Sequence, residues 1–317
     1  MEIKFQKTDL KHLDQALQLF LDEYDKERQR LPYLPNKDLL LNKFKKRLRE
    51  LFEKGIGITV FKQGQLIGYL IGYPVDELFN EKPGIYVPLY GHSTINNSKK
   101  EIYQELYKKA AEIWVEENYL THAVTLFPYD KDVINTFFWL EFGLRCLDSI
   151  RKVELIENNI NENIEIKKAN VEDIKLMSEL YRKDNLYYGS SPLFMPIDQN
   201  VSIDNLKEWF KKDNHHLWMA FRENKLIGYI RIEPTGETVI SQYSKMMNVT
   251  GAFIDEKYRN QKIGKALLNE VLLWLKEKNY QLCGVDFESF NISGSNFWNK
   301  YFEPYTYSVV RNIIRRC

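Results

Sequence analysis

The chain has 317 residues, with 45 Lys and Arg against 44 Asp and Glu, 44% hydrophobic residues and 28% charged ones. That length suits about two domains with buried cores, the composition excludes wholesale disorder, and a formal net charge of +1 leaves no whole-protein field to draw nucleic acid or an anionic membrane. Cys146, Cys283 and Cys317 are far apart and include no C-x-x-C pair, so neither a disulfide framework nor a thiolate zinc site is expected, and a reducing cytoplasm fits.

The opening MEIKFQKTDLKHLD is charged throughout, and apolar stretches such as 271–275 fall far below the ~20 residues of a spanning helix, so a cytoplasmic protein without a membrane segment is expected. Residues 3–7 read as a strand, 10–24 as a helical region, and a second helical region leads to a hairpin over 57–73. A strand near 85–89, a loop over 90–98 and a helix from about Lys99 follow, with Ile102, Leu106 and Ile113 among its apolar positions. Another strand and a short helix close this half. The polar run 157–163 has the composition of a linker. Behind it the order restarts: a strand at 164–168, a helix over 171–182, a second helical region, a hairpin over 217–232, a strand at 249–254, a helix from Ile263, a strand at 282–288 and a short helix.

The restart is a repeat. Leu66-Ile67-Gly68-Tyr69 recurs as Leu226-Ile227-Gly228-Tyr229 at an offset of 160, Phe138-Trp139 as Phe297-Trp298 at 159, the strand start at Ile3 as Ile164 at 161, and Pro32 as Pro192 at 160. Four matches in register argue for duplication. The expected organisation is a domain over 1–156, a linker over 157–163 and a domain over 164–317, each mixed α/β.

The segment 248–278, NVTGAFIDEKYRNQKIGKALLNEVLLWLKEK, carries the chemistry. A strand runs into a polar loop holding Lys257, Arg259, Lys262 and Lys265, and then into a helix with Gly264 in its opening turn. Unpaired amides converge at such a helix start and the dipole favours negative charge, so pyrophosphate is a natural ligand; a solvated strand-to-helix connection is the alternative. It is not a Walker loop, because Ala266 follows Gly264-Lys265 and Arg259 stands where the earlier glycine is required.

Gln261-Lys262-Ile263-Gly264-Lys265-Ala266 resembles the [QR]-x-x-G-x-[GA] signature of the GNAT superfamily of acetyl-CoA-dependent N-acetyltransferases. Tyr258-Arg259 precedes it, and Asn291, Gly294 and Phe297-Trp298 after the strand at 282–288 resemble the family's N-x-x-[AG]-x-x-F-Y element. The resemblance implies two GNAT-like domains in tandem, each a mostly antiparallel, splayed sheet flanked by helices. In the second, acetyl-CoA would lie in the splay: Ala252, Phe253 and Ile254 would meet the pantetheine and thioester, and amides from Gln261 through Ala266 would hold the pyrophosphate beside Arg259. Gly264 would admit close approach, a strand bulge would aim an amide at the developing oxyanion, and Asn291 and Trp298 would complete the cofactor set. The first half lacks the signature, with only Gly91 in its loop, and is expected to be a degenerate copy without cofactor.

An amine must lose its proton before attacking a thioester. Glu288, and Asp286 on the same strand face, are the candidate proton acceptors, against solvated strand-end charge; Glu233 and Asp255 remain alternatives. The family often places a tyrosine at Trp298 to protonate the thiolate, so that role falls vacant or passes to Tyr301, Tyr305 or water. Trp139 at the matching position of the first half suggests a packing role shared by both indoles. Tyr187, Tyr188 and Phe194 would wall the acceptor site, against core packing as the alternative. His12, His92, His122, His215 and His216 lack metal-ligand spacing, and no metal is expected; Arg311, Arg315 and Arg316 read as a strand edge and solvated end. The expected activity is transfer of acetyl to a primary amine of a small molecule or peptide by direct attack on the thioester. The alternative is a non-catalytic acyl-CoA-binding or interaction module.

Overall fold

The computed structural model describes residues 3–79, 82–95, 97–157, 163–197 and 202–314. Cys317, Arg315, Arg316 and most of the expected linker, 158–162, lie outside the described residues. The chain divides into two compact units, 1–148 with 238–240 and 304–317, and 149–237 with 241–303. This division departs from the expected 1–156 and 164–317: it falls between Asp148 and Ser149, and the last strand of the second half belongs to the first unit.

In the first unit β1 (Ile3–Lys7), α1 (Leu13–Arg30), α2 (Lys37–Lys54), β2 (Ile56–Lys62) and β3 (Gln65–Leu78) come first. Asn36 starts α2 by accepting the Asp38 amide, an Asx cap. Gln63 and Gly64 both take positive φ, 52° and 79°, which lets β2 and β3 close as a tight hairpin. There follow β4 (Lys82–Val87), β5 (His92–Thr94), α3 (Lys99–Glu116), β6 (Thr121–Leu126) and α4 (Lys131–Trp139). β7 (Gly143–Lys152) then carries the chain into the second unit. The strand expected at 85–89 stops at Val87, because Pro88 offers no amide to a ladder. After the excursion 88–91, β5 resumes pairing with β3, Leu70 opposite His92 and Gly68 opposite Thr94, inside the stretch expected to be loop. β4 and β6 run parallel from Gly84↔Thr121 to Val87↔Val124. Beside β6 lies β13 (Glu303–Asn312), antiparallel from Tyr307↔Leu126 to Asn312↔Thr121. Ile102, Leu106, Ala110 and Trp114 of α3 pack over this sheet with Val124, Leu126 and Phe137.

The second unit repeats the plan. After β8 (Glu165–Lys168) a 3-10 segment, Val171–Met177, enters α5 (Ser178–Tyr188). The helix therefore runs past the expected end at 182 and carries Tyr187 and Tyr188. α6 (Ile203–Phe210), β9 (His216–Arg222), β10 (Lys225–Glu233), β11 (Met246–Ile254), α7 (Ile263–Glu277), β12 (Leu282–Glu288) and α8 (Ile292–Trp298) follow. The β9–β10 turn again uses two positive φ values, 50° at Glu223 and 63° at Asn224. The sheet order is β12-β11-β10-β9-β8, antiparallel except for β11 with β12. Ile263, Leu267, Val271 and Leu275, at helical spacing, are the buried side of α7. Among the described residues no helix is long and apolar enough to cross a membrane.

Candidate active site

The parallel ladder between β11 and β12 is short. It runs from Met246↔Leu282 to Val249↔Val285 and then ends, so residues 250–254 and 286–288 part from one another. At the parting point β11 carries a bulge: Arg231 faces Gly251 and Ile232 faces Val249, which leaves Thr250 without a partner in the ladder. Arg231 reaches across it, donating from Nε (3.2 Å) and Nη2 (3.1 Å) to the Thr250 carbonyl. The splay opens into a cleft of about 560 Å3, in the size range of small-molecule sites.

One end of the cleft is the start of α7. Lys262 takes φ 63°, and the first main-chain bond of the helix runs from the Ala266 amide to the Lys262 carbonyl at 3.0 Å. The amides of Ile263, Gly264 and Lys265 precede that bond and point outward at the helix N-terminus. Lys262, Lys265 and Arg259 line the same region. Arg259 is fixed there: its Nε donates to the Ile254 carbonyl at 3.2 Å, and its guanidinium lies 4.5 Å from the Tyr187 ring centroid and 5.5 Å from that of Phe253. At Gly264 a Cβ would come within 3.2 Å of the Phe297 ring, so the helix start and the ring share one narrow space.

The opposite wall comes from β12, whose Asp286 and Glu288 project to one face by strand alternation. α8 follows, capped by Asn291, whose Oδ1 accepts the Gly294 amide at 3.0 Å and the Tyr187 hydroxyl at 2.9 Å. That carbonyl thus joins α8 to α5. Trp298 and Tyr301 also line the cleft, with Trp298 only 8% exposed and edge-on to Phe297 and Phe302.

Of the residues expected here, Ala252, Phe253, Ile254, Arg259, Lys262, Ile263, Gly264, Lys265, Asn291 and Trp298 line this one cleft, as do Asp286, Glu288, Tyr301, Tyr187 and Tyr188. Three expectations need correction. The Ala266 amide is already bonded within α7 and its side chain is buried, so it offers nothing to a ligand. Gln261 lies outside the lining, its side chain taken up by Arg222 and the Lys257 carbonyl. Phe194 is 73% exposed and does not line the cleft, because α5 extends to Tyr188 and the chain turns away behind it. The alternatives Asp255 and Glu233 are engaged elsewhere, Asp255 with Lys183 at 2.8 Å and Glu233 with the Trp209 indole.

The expected shared packing of Trp139 and Trp298 also fails, since Trp139 is 76% exposed. The helix caps Asp130 and Asn291 are 161 residues apart, not 159, so Phe137, wholly buried, stands where Trp298 does. In the first unit the corresponding helix start, α3 behind Ser98 at φ 59°, carries an ion cluster beside an open cavity of about 370 Å3 lined by Lys26, Lys99, Tyr129 and Asp130. Lys99 Nζ is bonded to Glu23 at 2.6 Å and to the Asp130 carboxylate, and the Tyr129 hydroxyl also donates to Glu23.

Asp184 and Tyr229 escaped sequence reasoning. Asp184 lines the cleft from α5 and accepts a hydrogen bond from the Tyr229 hydroxyl. Burial pushes its carboxyl up to about 6, against the lowering effect of Tyr229, Arg231 and Arg259. The repeat offset of 161 pairs it with Glu23, which was the available signal.

One cleft thus joins a splayed sheet with a bulge at the split, a cationic helix N-terminus at one end and carboxylates at the other. The acetyltransferase (GNAT) family profile matches residues 177–301. Along the whole chain the structure is similar to a tandem GNAT protein from the clavulanic acid biosynthesis pathway, with TM-score 0.51, 11% identity and 100% of each chain covered. It is similar also to a GCN5-related N-acetyltransferase from Sphaerobacter thermophilus (0.52, 11%, 82% of each chain). A glucosamine N-acetyltransferase region in a fungal multi-domain β-N-acetylglucosaminidase is a third likeness (0.57, 11%, 98% of this chain and 38% of that one). At such identities these likenesses speak for the fold alone. No curated protein matches the sequence. Residues 177–301 thus match the acetyltransferase (GNAT) family, and the chain as a whole shares the fold of tandem GNAT proteins.

Proposed function

We propose that the second unit is an acetyl-CoA-dependent N-acetyltransferase that acetylates a primary amine of a small molecule or peptide by direct attack on the thioester. The observation that carries this reading is the coincidence, in one cleft, of the β11–β12 splay, the Thr250 bulge and the unbonded amides at the start of α7. Acetyl-CoA fits these groups. The amides of Ile263, Gly264 and Lys265, with the charges of Lys262, Lys265 and Arg259, would hold the pyrophosphate. Main chain at Gly251 to Ile254, released from β12, would bind the pantetheine, and the bulge would leave a β11 amide for the thioester oxygen. When bound, the thioester supplies an activated acetyl group. Asp286 and Glu288 provide negative charge that attracts the ammonium of the acceptor, and Tyr187 and Tyr188 form its aromatic side. The first unit, at whose equivalent helix start Lys99 pairs with Glu23 and Asp130 and the glycine is missing, would contribute no cofactor site.

The reading is tested by measuring free thiol release from acetyl-CoA across a panel of amines, amino acids and short peptides. Release that depends on one class of amine is the expected result. Binding of acetyl-CoA without release from any acceptor would contradict it.

A further inference from the structure

We propose that Asp184 is the catalytic residue that takes the proton from the acceptor amine, with Tyr229 as the residue that positions it. The inference rests on the acetyltransferase reading and adds to it a proton acceptor on a different element from the β12 carboxylates.

Both units preserve an acidic residue at this place. Glu23 on α1 and Asp184 on α5 are 161 residues apart, the same offset as the matching isoleucines Ile3 and Ile164 and the helix caps Asp130 and Asn291. Their partners differ. Glu23 is neutralised by Lys26 at 2.5 Å and Lys99 at 2.6 Å, and its second oxygen also receives the Tyr129 hydroxyl. Among the described residues no ammonium bonds Asp184; its partner is the neutral phenol of Tyr229, and the cleft lies in front of it. The first unit has its carboxylate in an ion cluster. The second holds its carboxylate by a phenol at the cleft, available for a proton.

The groups that face Asp184 are Tyr229 and Arg231 from β10 and Arg259 from the loop behind β11. On its own helix Tyr188 stands beside it, and the Tyr188 hydroxyl also lies in the field of Asp286 and Glu288. The neighbouring Lys183 turns away to Glu179 and Asp255, at 2.8 Å each. Three carboxylates therefore surround Tyr188, of which Asp184 is held by a phenol and raised by burial to about 6. A carboxylate there is a stronger base than one in water and remains ionised at neutral pH.

The proton balance is simple. The acceptor ammonium gives one proton to Asp184, the freed amine nitrogen forms a bond to the acetyl carbon, and the C–S bond breaks. The leaving thiolate takes the second nitrogen proton, and Asp184 returns the first to water. Each cycle yields N-acetylated amine, free thiol and one proton.

The test is the pH dependence of kcat for the full chain with acetyl-CoA and the best amine of the panel. Wild type should show an acidic limb near pH 6. Asp184→Asn should lose about 10²-fold or more of its rate at pH 7 and lose the limb, with acetyl-CoA affinity and circular dichroism unchanged. Asp184→Glu should restore the limb, and Tyr229→Phe should displace it upward by removing the bond that favours the anion. Glu288→Gln should raise KM and leave the limb in place. Turnover by wild type that survives Asp184→Asn with the limb intact would overturn the proton role alone. No thiol release by wild type with any amine would overturn the acetyltransferase reading, and this role with it.

Discussion

Gly264 is confined from both sides, by the cleft in front of the α7 amides and by the Phe297 ring 3.2 Å from where a Cβ would lie. Gly264→Asp would push against that ring and place a carboxylate among the groups proposed to hold a pyrophosphate. The expected result is a loss of acetyl-CoA affinity of about 10²-fold or more, near 3 kcal/mol, with far-ultraviolet circular dichroism close to wild type. Undiminished affinity in a folded variant would remove the phosphate role from Lys262 to Lys265. This position was legible in the sequence because its spacing is local: a glycine, four cations and a helical period within one short segment. Asp184 was not, because its chemistry depends on a burial and on a Tyr229 partner 45 positions away. Its raised carboxyl also has a stability consequence with a definite sign. Between about pH 4 and 6 the folded chain holds a proton that the unfolded chain releases, so this residue's contribution falls as pH rises through that window, by at most about 3 kcal/mol. Asp184→Asn should therefore melt higher than wild type at pH 7 while losing activity.

The same strand meets two fates in the two halves. In the second it continues through a one-residue bulge as β11; in the first it breaks into β4 and β5 around Pro88 to Gly91, with the Tyr90 carbonyl accepting the Tyr69 hydroxyl at 3.0 Å. The hairpins and β12 could be read from turn residues and alternation. The break was hidden because apolar residues continue on both sides of Pro88 and hydropathy does not register a missing amide. The short helices misled in another way: a matching Phe-Trp pair suggested equivalence, whereas the caps show α4 to be two residues longer than α8. Core elements of the first unit also carry two buried histidines. His92 bonds Tyr103 and the Thr125 carbonyl, His122 bonds Tyr107 and the Tyr119 carbonyl, and burial holds both down to about 4. Unfolded, each would protonate near 6.5. Stability of this unit should fall as pH drops from about 6.5 to 4, by up to about 3 kcal/mol per histidine. In urea titrations across that range, His122→Asn should start less stable at pH 7 and lose less on acidification. An equal slope in variant and wild type would contradict this account.

At the scale of the whole molecule, sequence duplication and structural division do not coincide. β13 belongs by descent to the second half, yet it pairs with β6 and places Tyr305, Thr306 and Val309 in the first unit's interior. The Thr306 hydroxyl bonds the buried Asp148, and the Tyr305 hydroxyl meets Thr238 at 2.8 Å. A chain shortened to end at Glu303 should lose cooperative unfolding of the first unit, seen as a broadened or absent calorimetric transition, because β6 would be left as an unpaired edge with its core opened. A sharp transition at the wild-type temperature would show that the strand is dispensable. The repeat revealed two related halves; it did not reveal this exchange, since strand pairing across so long a separation leaves no local pattern.

On the function proposed above, the cleft between β11 and β12 holds acetyl-CoA, and the first unit, whose helix start carries the ion cluster of Lys99, Glu23 and Asp130, holds none. Calorimetric titration of the cofactor-free full chain with acetyl-CoA counts the sites directly. The expected stoichiometry is one acetyl-CoA per chain. Two sites would show the first unit to be a functioning cofactor domain, and no binding at all would remove the cleft between β11 and β12 from acetyl-CoA chemistry.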